Sequence, residues 1–264
     1  MKFWQEISIE EYHGNARAIS KSKLASFADC ISPHRYRHLE QKKGQHLVIG
    51  QLFEDLVQRG SYSATVKPET YTNEKGEVKP WTGAANVCKA WLAEHAGETV
   101  ISADEHAMLQ VMHAAFLANP LAAETQAVGV QQPTLIIERG GVMLQARPDY
   151  YLPEKRVFRD VKSCESLEDF DRDVLKFRYH WQAALSIDLA KQITSEEIDY
   201  SFEFITVDKQ VNPECQVVQI SKEMLNLARC EMNPYIETLS ACIKSGVWPR
   251  SEEHRLVKNP RWLR

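Results

Sequence analysis

Residues 146–163 constrain the fold of this chain more than any other stretch. They hold two short apolar runs, and each run carries an aspartate, Asp149 and Asp160. Lys162 follows the second aspartate with one residue between. Pro153-Glu154-Lys155, between the runs, is turn material: proline presets φ, and the polar residues after it accept solvent. The pattern predicts two antiparallel strands, roughly 143–151 and 156–162, joined by a tight turn.

Alternate residues of a strand face the same side. Asp160 and Lys162 therefore project together, Val161 turns to the core, and Asp149 reaches the same place from the neighbouring strand. Carboxylate oxygens with no His or Cys nearby suit Mg²⁺ or Mn²⁺ better than Zn²⁺. A cation held there lowers the pKa of water and polarises a phosphoryl oxygen. Lys162 can orient that water or stabilise charge developing on phosphate. Phosphodiester hydrolysis is the chemistry such a set serves. Taken alone, Asp-x-Lys on a strand describes an exposed ion pair equally well.

Composition narrows the class. Hydrophobic residues make up 44% of the 264, enough for one large domain with its own core. A single domain over 1–264 is expected, with a mobile insertion at 60–82 and a basic tail at 247–264. No run approaches the ~20 apolar residues that span a bilayer. The residues after Lys2 lack the continuous apolar segment of a secretory signal, so a cytoplasmic protein is expected. Cys30, Cys88, Cys164, Cys215, Cys230 and Cys242 are widely scattered, which predicts free thiols rather than an iron–sulfur cluster. The net charge of −4 does not advertise a polyanionic partner, but a local basic path is sufficient for one. Arg17, Lys21, Lys23, Arg35, Arg37, Lys42 and Lys43 supply such a path, and Arg250, Arg255, Lys258, Arg261 and Arg264 a second. Solvated surface is the other reading of both.

Around the central stretch, Ser20 caps a short helix through Leu24 and Phe27, and Pro33 ends it or starts another. Residues 46–59 read as a helix with Ile49, Leu52, Phe53, Leu56 and Val57 inward. Gly50 interrupts this helix, and Glu54, four residues on, lies beside its apolar stripe, where a carboxylate needs a partner. Asp55 takes that place if the helix is rotated. Helices are expected at 83–95, with Val87, Cys88, Trp91 and Leu92 inward, and after a capping box at Ser102 and Glu105, with Met108, Val111, Met112, Ala115 and Phe116 inward. Thr134–Ile137 and Val142–Ala146 flank a turn at Arg139-Gly140-Gly141 and join the central hairpin in a mixed sheet. A second capping box, Ser166 with Asp169, leads into a helix ending near Arg178. The next helix opens with Arg178, Tyr179, His180 and Gln182 near its N-terminus, where anions are favoured. Strands at 200–207 and 214–220 and a long helix after Ser221, kinked at Pro234, complete the pattern.

Pro148-Asp149 followed by Asp160-Val161-Lys162 matches the PD-(D/E)xK nuclease signature. Together with Ile19-Ser20-Lys21-Ser22-Lys23-Leu24, Arg147-Pro148-Asp149, Asp160-Val161-Lys162-Ser163 and Phe177-Arg178-Tyr179-His180-Trp181-Gln182, in that order, the chain resembles the RecE (exonuclease VIII) C-terminal nuclease family. The resemblance implies an α/β PD-(D/E)xK core, a mixed central sheet flanked by helices. It implies a Mg²⁺-dependent exonuclease, with two ions, acting 5′→3′ on double-stranded DNA ends and leaving 3′ overhangs. A ring-shaped homo-oligomer, trimer or tetramer, and a RecT-type annealing partner are implied as well. Carried over residue by residue, it makes Glu54, Asp149, Asp160 and the Val161 carbonyl the metal ligands. Lys162, Asp149, Asp160 and Gln182 become catalytic. Arg147, Arg178, Tyr179 and His180, within the matching blocks, and Lys21, Lys23, Arg35 and Arg37, from the basic path, are expected to contact DNA. Two positions depart from the family: Glu54 stands where it has His, and Ser186 where its Q-x-x-x-Y has Tyr. An endonuclease of the same superfamily and an inactive DNA-end scaffold are the alternatives.

Overall fold

The computed structural model describes residues 4–14, 18–39, 45–195 and 198–251. Helices α1 (Ile9–Gly14), α2 (Lys21–Ala28), α3 (Pro33–Arg37) and α4 (Gln45–Arg59) come first. Ser20 caps α2 by accepting from the Lys23 amide, as its side chain predicts. Strands β1 (Thr65–Val66), β2 (Thr70–Thr72) and β3 (Val78–Pro80), helix α5 (Asn86–Glu94) and strand β4 (Val100–Ile101) follow. The stretch 60–82 thus contains the β2–β3 hairpin and a strand paired with β4. Then come α6 (Ala103–Ala118), α7 (Pro120–Val128), β5 (Val130–Gln131), β6 (Leu135–Arg139), β7 (Val142–Ala146), β8 (Tyr150–Leu152) and β9 (Val157–Cys164). Helices α8 (Phe170–Lys176) and α9 (Tyr179–Thr194), strands β10 (Ser201–Asp208) and β11 (Cys215–Gln219), and α10 (Lys222–Ser245) close the described chain. No helix among the described residues is long and apolar enough to cross a membrane.

The central sheet runs β11-β10-β9-β8-β5. Strands β9 and β10 are parallel, joined by the α8–α9 crossover, and the other neighbours are antiparallel. The two sheet faces build two cores. Phe158, Phe202 and Phe204 pack with α2, α9 and α10 on one face. Val161, Ile205 and Val207 pack with α4 and α6 on the other. The expected mixed sheet flanked by helices is present.

Several local expectations need correction. The predicted strand 143–151 is broken at Arg147-Pro148-Asp149: β7 pairs with β6 in a separate two-stranded sheet, and β8 joins β9. Proline has no N–H for a ladder, so the chain changes sheets there. Pro120 does more than close α6, because it also opens α7, with Asn119 capping through its side chain. On α6 the buried face is Leu109, Met112 and Phe116, while Val111 points out. On α5, Cys88 is buried but Val87 and Leu92 are exposed, because one short helix over a small sheet has little to bury against. The Ser166–Asp169 capping box does not form: Asp169 makes no side-chain cap, and the Ser166 hydroxyl donates to Glu168. The Ser102–Glu105 box does form. Arg17, Lys42 and Lys43 lie outside the described residues, as does the tail beyond Ser251.

Candidate active site

The site lies where β8 stops short of β9. Strand β8 pairs with β9 only as far as Arg159, so the Val161 amide looks past the strand's end. There it donates to Asp149 Oδ2 at 2.7 Å. A strand residue's N–H and C=O point the same way, so the Val161 carbonyl also faces this gap. Asp160 and Lys162, one pleat away on either side, face α9. Their side chains are in direct contact, and Gln182 Nε2 donates to Asp160 Oδ1 at 2.6 Å. Lys162 also stands 5.2 Å from the Tyr179 ring centre, over its face. Ser186, at the departing Tyr position, is buried and donates back to the Gln182 carbonyl at 2.8 Å.

Glu54 arrives from α4 on the opposite face. The apolar stripe of that helix is buried as its periodicity predicts, and this sets the rotation that brings Glu54 to the gap. Gly50 faces β9, where a Cβ would meet Ser163 Oγ at 3.7 Å, an ordinary van der Waals contact. The Glu54 and Asp149 carboxyls are neighbours, both within hydrogen-bond reach of the Gln58 amide. Asp55, the alternative ligand, instead faces Arg59 at 3.7 Å.

Electrostatics set these groups against one another. Burial, then the nearby Asp160 and Glu54 carboxylates, push the Asp149 carboxyl well above the usual range. Burial, then Asp160, raises Glu54 as well. Burial by itself would depress the Lys162 ammonium, but Asp160 and Asp149 outweigh it and hold its pKa above the ordinary value. Three carboxylates and one ammonium therefore lie within electrostatic reach of one another. That donor set fits a hard divalent cation, which would relieve the crowding. Without one, the carboxylates are held by internal donors, and no three metal-ligating side chains among the described residues converge to chelate an ion.

Two neighbours of this set were not found from sequence. Gln58 donates from Nε2 to Glu54 Oε1 at 3.0 Å and to Asp149 Oδ1 at 3.3 Å. Its spacing four residues after Glu54 was the available signal. Gln132 supports Gln58 from the start of the β5–β6 connection, donating to its Oε1 at 2.8 Å. Nothing local in the sequence announces that contact.

The expected DNA-contacting residues divide. Lys21 and Tyr179 lie at the site: Lys21 Nζ donates to the Phe177 carbonyl at 2.6 Å and stands 5.4 Å from the Tyr179 ring centre. Burial, then Lys162, pulls the Lys21 pKa down to about 8. Arg178 bonds Asp29 at 2.8 Å and lies over the Trp181 ring, which ties α2 to α9. Lys23 donates to the Ala18 carbonyl at 2.9 Å, and Arg35 and Arg37 are exposed on α3. His180 and Arg147 need correction. His180 is 1% exposed, with its ring nitrogens on the Val174 carbonyl and Glu231. Arg147 turns inward to Thr134, the Ile7 carbonyl and the face of Tyr12. The helix phase of α9 buries His180, and Arg147, half-buried where the chain breaks after β7, is held by these contacts. His180→Ala is expected to cost about 1–3 kcal/mol of stability, the price of leaving buried partners unsatisfied. Denaturant unfolding would read that loss, and the affinity of the folded protein for duplex DNA should not change.

Residues 33–259 match the model of a family described as a PDDEXK-like domain of unknown function, DUF3799. No protein of curated function matches the chain. Among solved structures, the chain is similar to a candidate exonuclease from Eubacterium rectale, with a TM-score of 0.65 at 16% identity, covering 97% of this chain and 96% of that one. An alkaline exonuclease from Laribacter hongkongensis overlays with a TM-score of 0.31 at 14% identity, covering 62% of this chain and 85% of that one. A phage-related exonuclease from Haemophilus somnus overlays with a TM-score of 0.30 at 10% identity, covering 74% and 95% respectively. The first of these overlays shows a shared fold.

Proposed function

This chain belongs to the family of PDDEXK-like domains described as DUF3799, and on that premise we propose that it is a divalent-metal-dependent exonuclease acting on double-stranded DNA. The observation that carries the reading is that Glu54 and Asp149, bridged by Gln58, stand within electrostatic reach of the Asp160–Lys162 pair at the end of β8. Glu54, Asp149, Asp160 and the Val161 carbonyl would hold Mg²⁺ or Mn²⁺, in one or two sites. When bound, such an ion offsets phosphate charge and acidifies water.

The chain's own residues supply the rest. In the metal-free protein Asp160 and Asp149 hold the Lys162 pKa above its ordinary value. Lys162 therefore acts as a donor to a phosphate oxygen or to the attacking water, and not as a base. Gln182 holds Asp160 by one oxygen and leaves the other for Lys162. Lys21 and Tyr179 form the side of the site facing α2, where a cation and a ring suit a phosphate and a base. By resemblance, cleavage runs 5′→3′ and leaves 3′ overhangs for a RecT-type annealing protein, and the enzyme works as a ring-shaped homo-oligomer.

A linear duplex labelled at the 5′ end of one strand, beside a covalently closed circle, tests the proposal. We expect 5′ mononucleotides from the linear duplex with Mg²⁺, none with EDTA, and an intact circle. Cutting of the circle would make the protein an endonuclease. Binding of both without cleavage would make it a DNA-end scaffold.

A further inference from the structure

The geometry points to Gln58 as a positioning residue that sets the spacing of the metal-binding carboxylates, with Gln132 deciding which end of its amide faces them. This rests on the nuclease reading above and adds residues to it that neither the signature nor the resemblance includes. Gln58 Nε2 reaches Glu54 Oε1 and Asp149 Oδ1 together, at 3.0 and 3.3 Å. A primary amide carries two N–H donors, so one group can hold two carboxylates. The opposite end of the amide, Oε1, accepts from Gln132 Nε2 at 2.8 Å.

Only one orientation of the Gln58 amide satisfies all three contacts. Turned over, it would place its oxygen against two carboxylate oxygens and its NH₂ against another NH₂. Gln132 enforces that orientation from a constrained position. Its backbone N–H donates to the Asp149 carbonyl at 2.7 Å, and its φ is 46°, in the left-handed region that side chains other than Asn, Asp and Gly rarely adopt. Gln131 Nε2 adds a bond to the Gln58 backbone carbonyl at 3.2 Å. Two consecutive glutamines thus hold both the side chain and the main chain of Gln58, and one of them also holds the main chain of Asp149.

The consequence is a site whose carboxylates stand together before any cation arrives. Repulsion between Glu54 and Asp149 would otherwise drive them apart, and the uncharged N–H donors of Gln58 oppose it. Each carboxylate oxygen bonded this way keeps a second lone pair for a ligand. Groups in this outer position commonly change metal affinity by about 10–100-fold when removed.

Gln58→Leu keeps the bulk of the side chain and removes both donors. In calorimetric titration of the DNA-free protein, we expect its Mg²⁺ or Mn²⁺ half-saturation to rise about tenfold or more. The cleavage rate at saturating metal should stay near that of the parent, so the loss appears in metal requirement and not in kcat. Gln132→Gly accepts the positive φ and removes only the donor that orients Gln58, so it should shift half-saturation in the same direction by less. It also keeps the test open if Gln58→Leu folds poorly. A merely structural role would lower the metal-free Tm and leave the metal-induced rise in Tm intact. Parental half-saturation in both variants, with the parent binding metal and cleaving DNA, would overturn this inference alone. A parent that binds neither Mg²⁺ nor Mn²⁺ would overturn the nuclease reading and this inference with it.

Discussion

Replacing Lys162 with alanine is expected to slow phosphodiester cleavage by about 10²–10³-fold, the usual effect of removing a charged donor aimed at a transition state. Duplex affinity, measured in Ca²⁺ or EDTA to prevent turnover, should fall little if, as proposed, most phosphate contacts fall to exposed cations elsewhere. Two features of the site point to a loss in the chemical step. Lys162, half-buried, is in direct contact with the buried Asp160 and stands over the Tyr179 ring. Its ammonium is held protonated by two carboxylates, so a neutral substitute removes a fixed positive charge from the place where negative charge would grow. Arginine restores the charge but not the size, and should recover only part of the rate, because a planar fork does not fit the space of a compact ammonium. Loss of DNA affinity with normal turnover per bound end would contradict the assignment.

Asp149→Asn is expected to separate stability from function. In the parent, burial and the neighbouring carboxylates hold the Asp149 and Glu54 pKa values above the usual range. A carboxyl with a raised folded pKa favours the folded state below its unfolded value of about 4, and that contribution is lost as pH rises through the folded value. The metal-free parent therefore loses stability from these two groups as pH rises above about 4. Asparagine removes one buried negative charge while its oxygen still accepts from the Val161 amide. The relief of like-charge repulsion outweighs one mismatched contact with the Gln58 amide. We expect the metal-free variant at pH 8 to gain about 1 kcal/mol, roughly 2–4 °C in Tm for a chain of this size. Cleavage should be lost.

The same argument makes the response to metal depend on pH. Protons and cations compete for the same oxygens. Mg²⁺ should raise the Tm of the parent more at pH 8 than at pH 5, and should not raise that of Asp149→Asn at either. Thermal unfolding with and without Mg²⁺ at the two pH values measures both effects. An equal Mg²⁺ response in parent and variant would remove Asp149 from the ligand set.

Local chemistry made much of this legible in advance. The α4 stripe is buried as its periodicity predicts, and Glu54 rather than the alternative Asp55 lies beside Asp149. Ser20, Ser102 and Ser221 cap helices where their side chains predict. The alternation along Val157–Cys164 placed Asp160 and Lys162 on one face. Each of these depends on residues within a turn or a pleat of one another. Errors arose where the deciding partner was distant. Arg147 and His180 carry charge or potential charge in a promising motif, yet one turns to Thr134 and Tyr12 and the other to Glu231, 51 residues away.

What the sequence determined by itself is the chemistry available: two aspartates and a lysine on strands, a glutamate on an amphipathic helix, and a family signature joining them. Periodicities of two and 3.6 residues carry that information locally. Tertiary structure alone decided which donors those carboxylates meet. Strand β8 ends one pairing early, which opens the Val161 amide to Asp149, and the β5–β8 pairing carries Gln132 to within reach of Gln58. Contacts between segments more than 70 residues apart depend on how sheets and helices pack, and no window of sequence contains both partners.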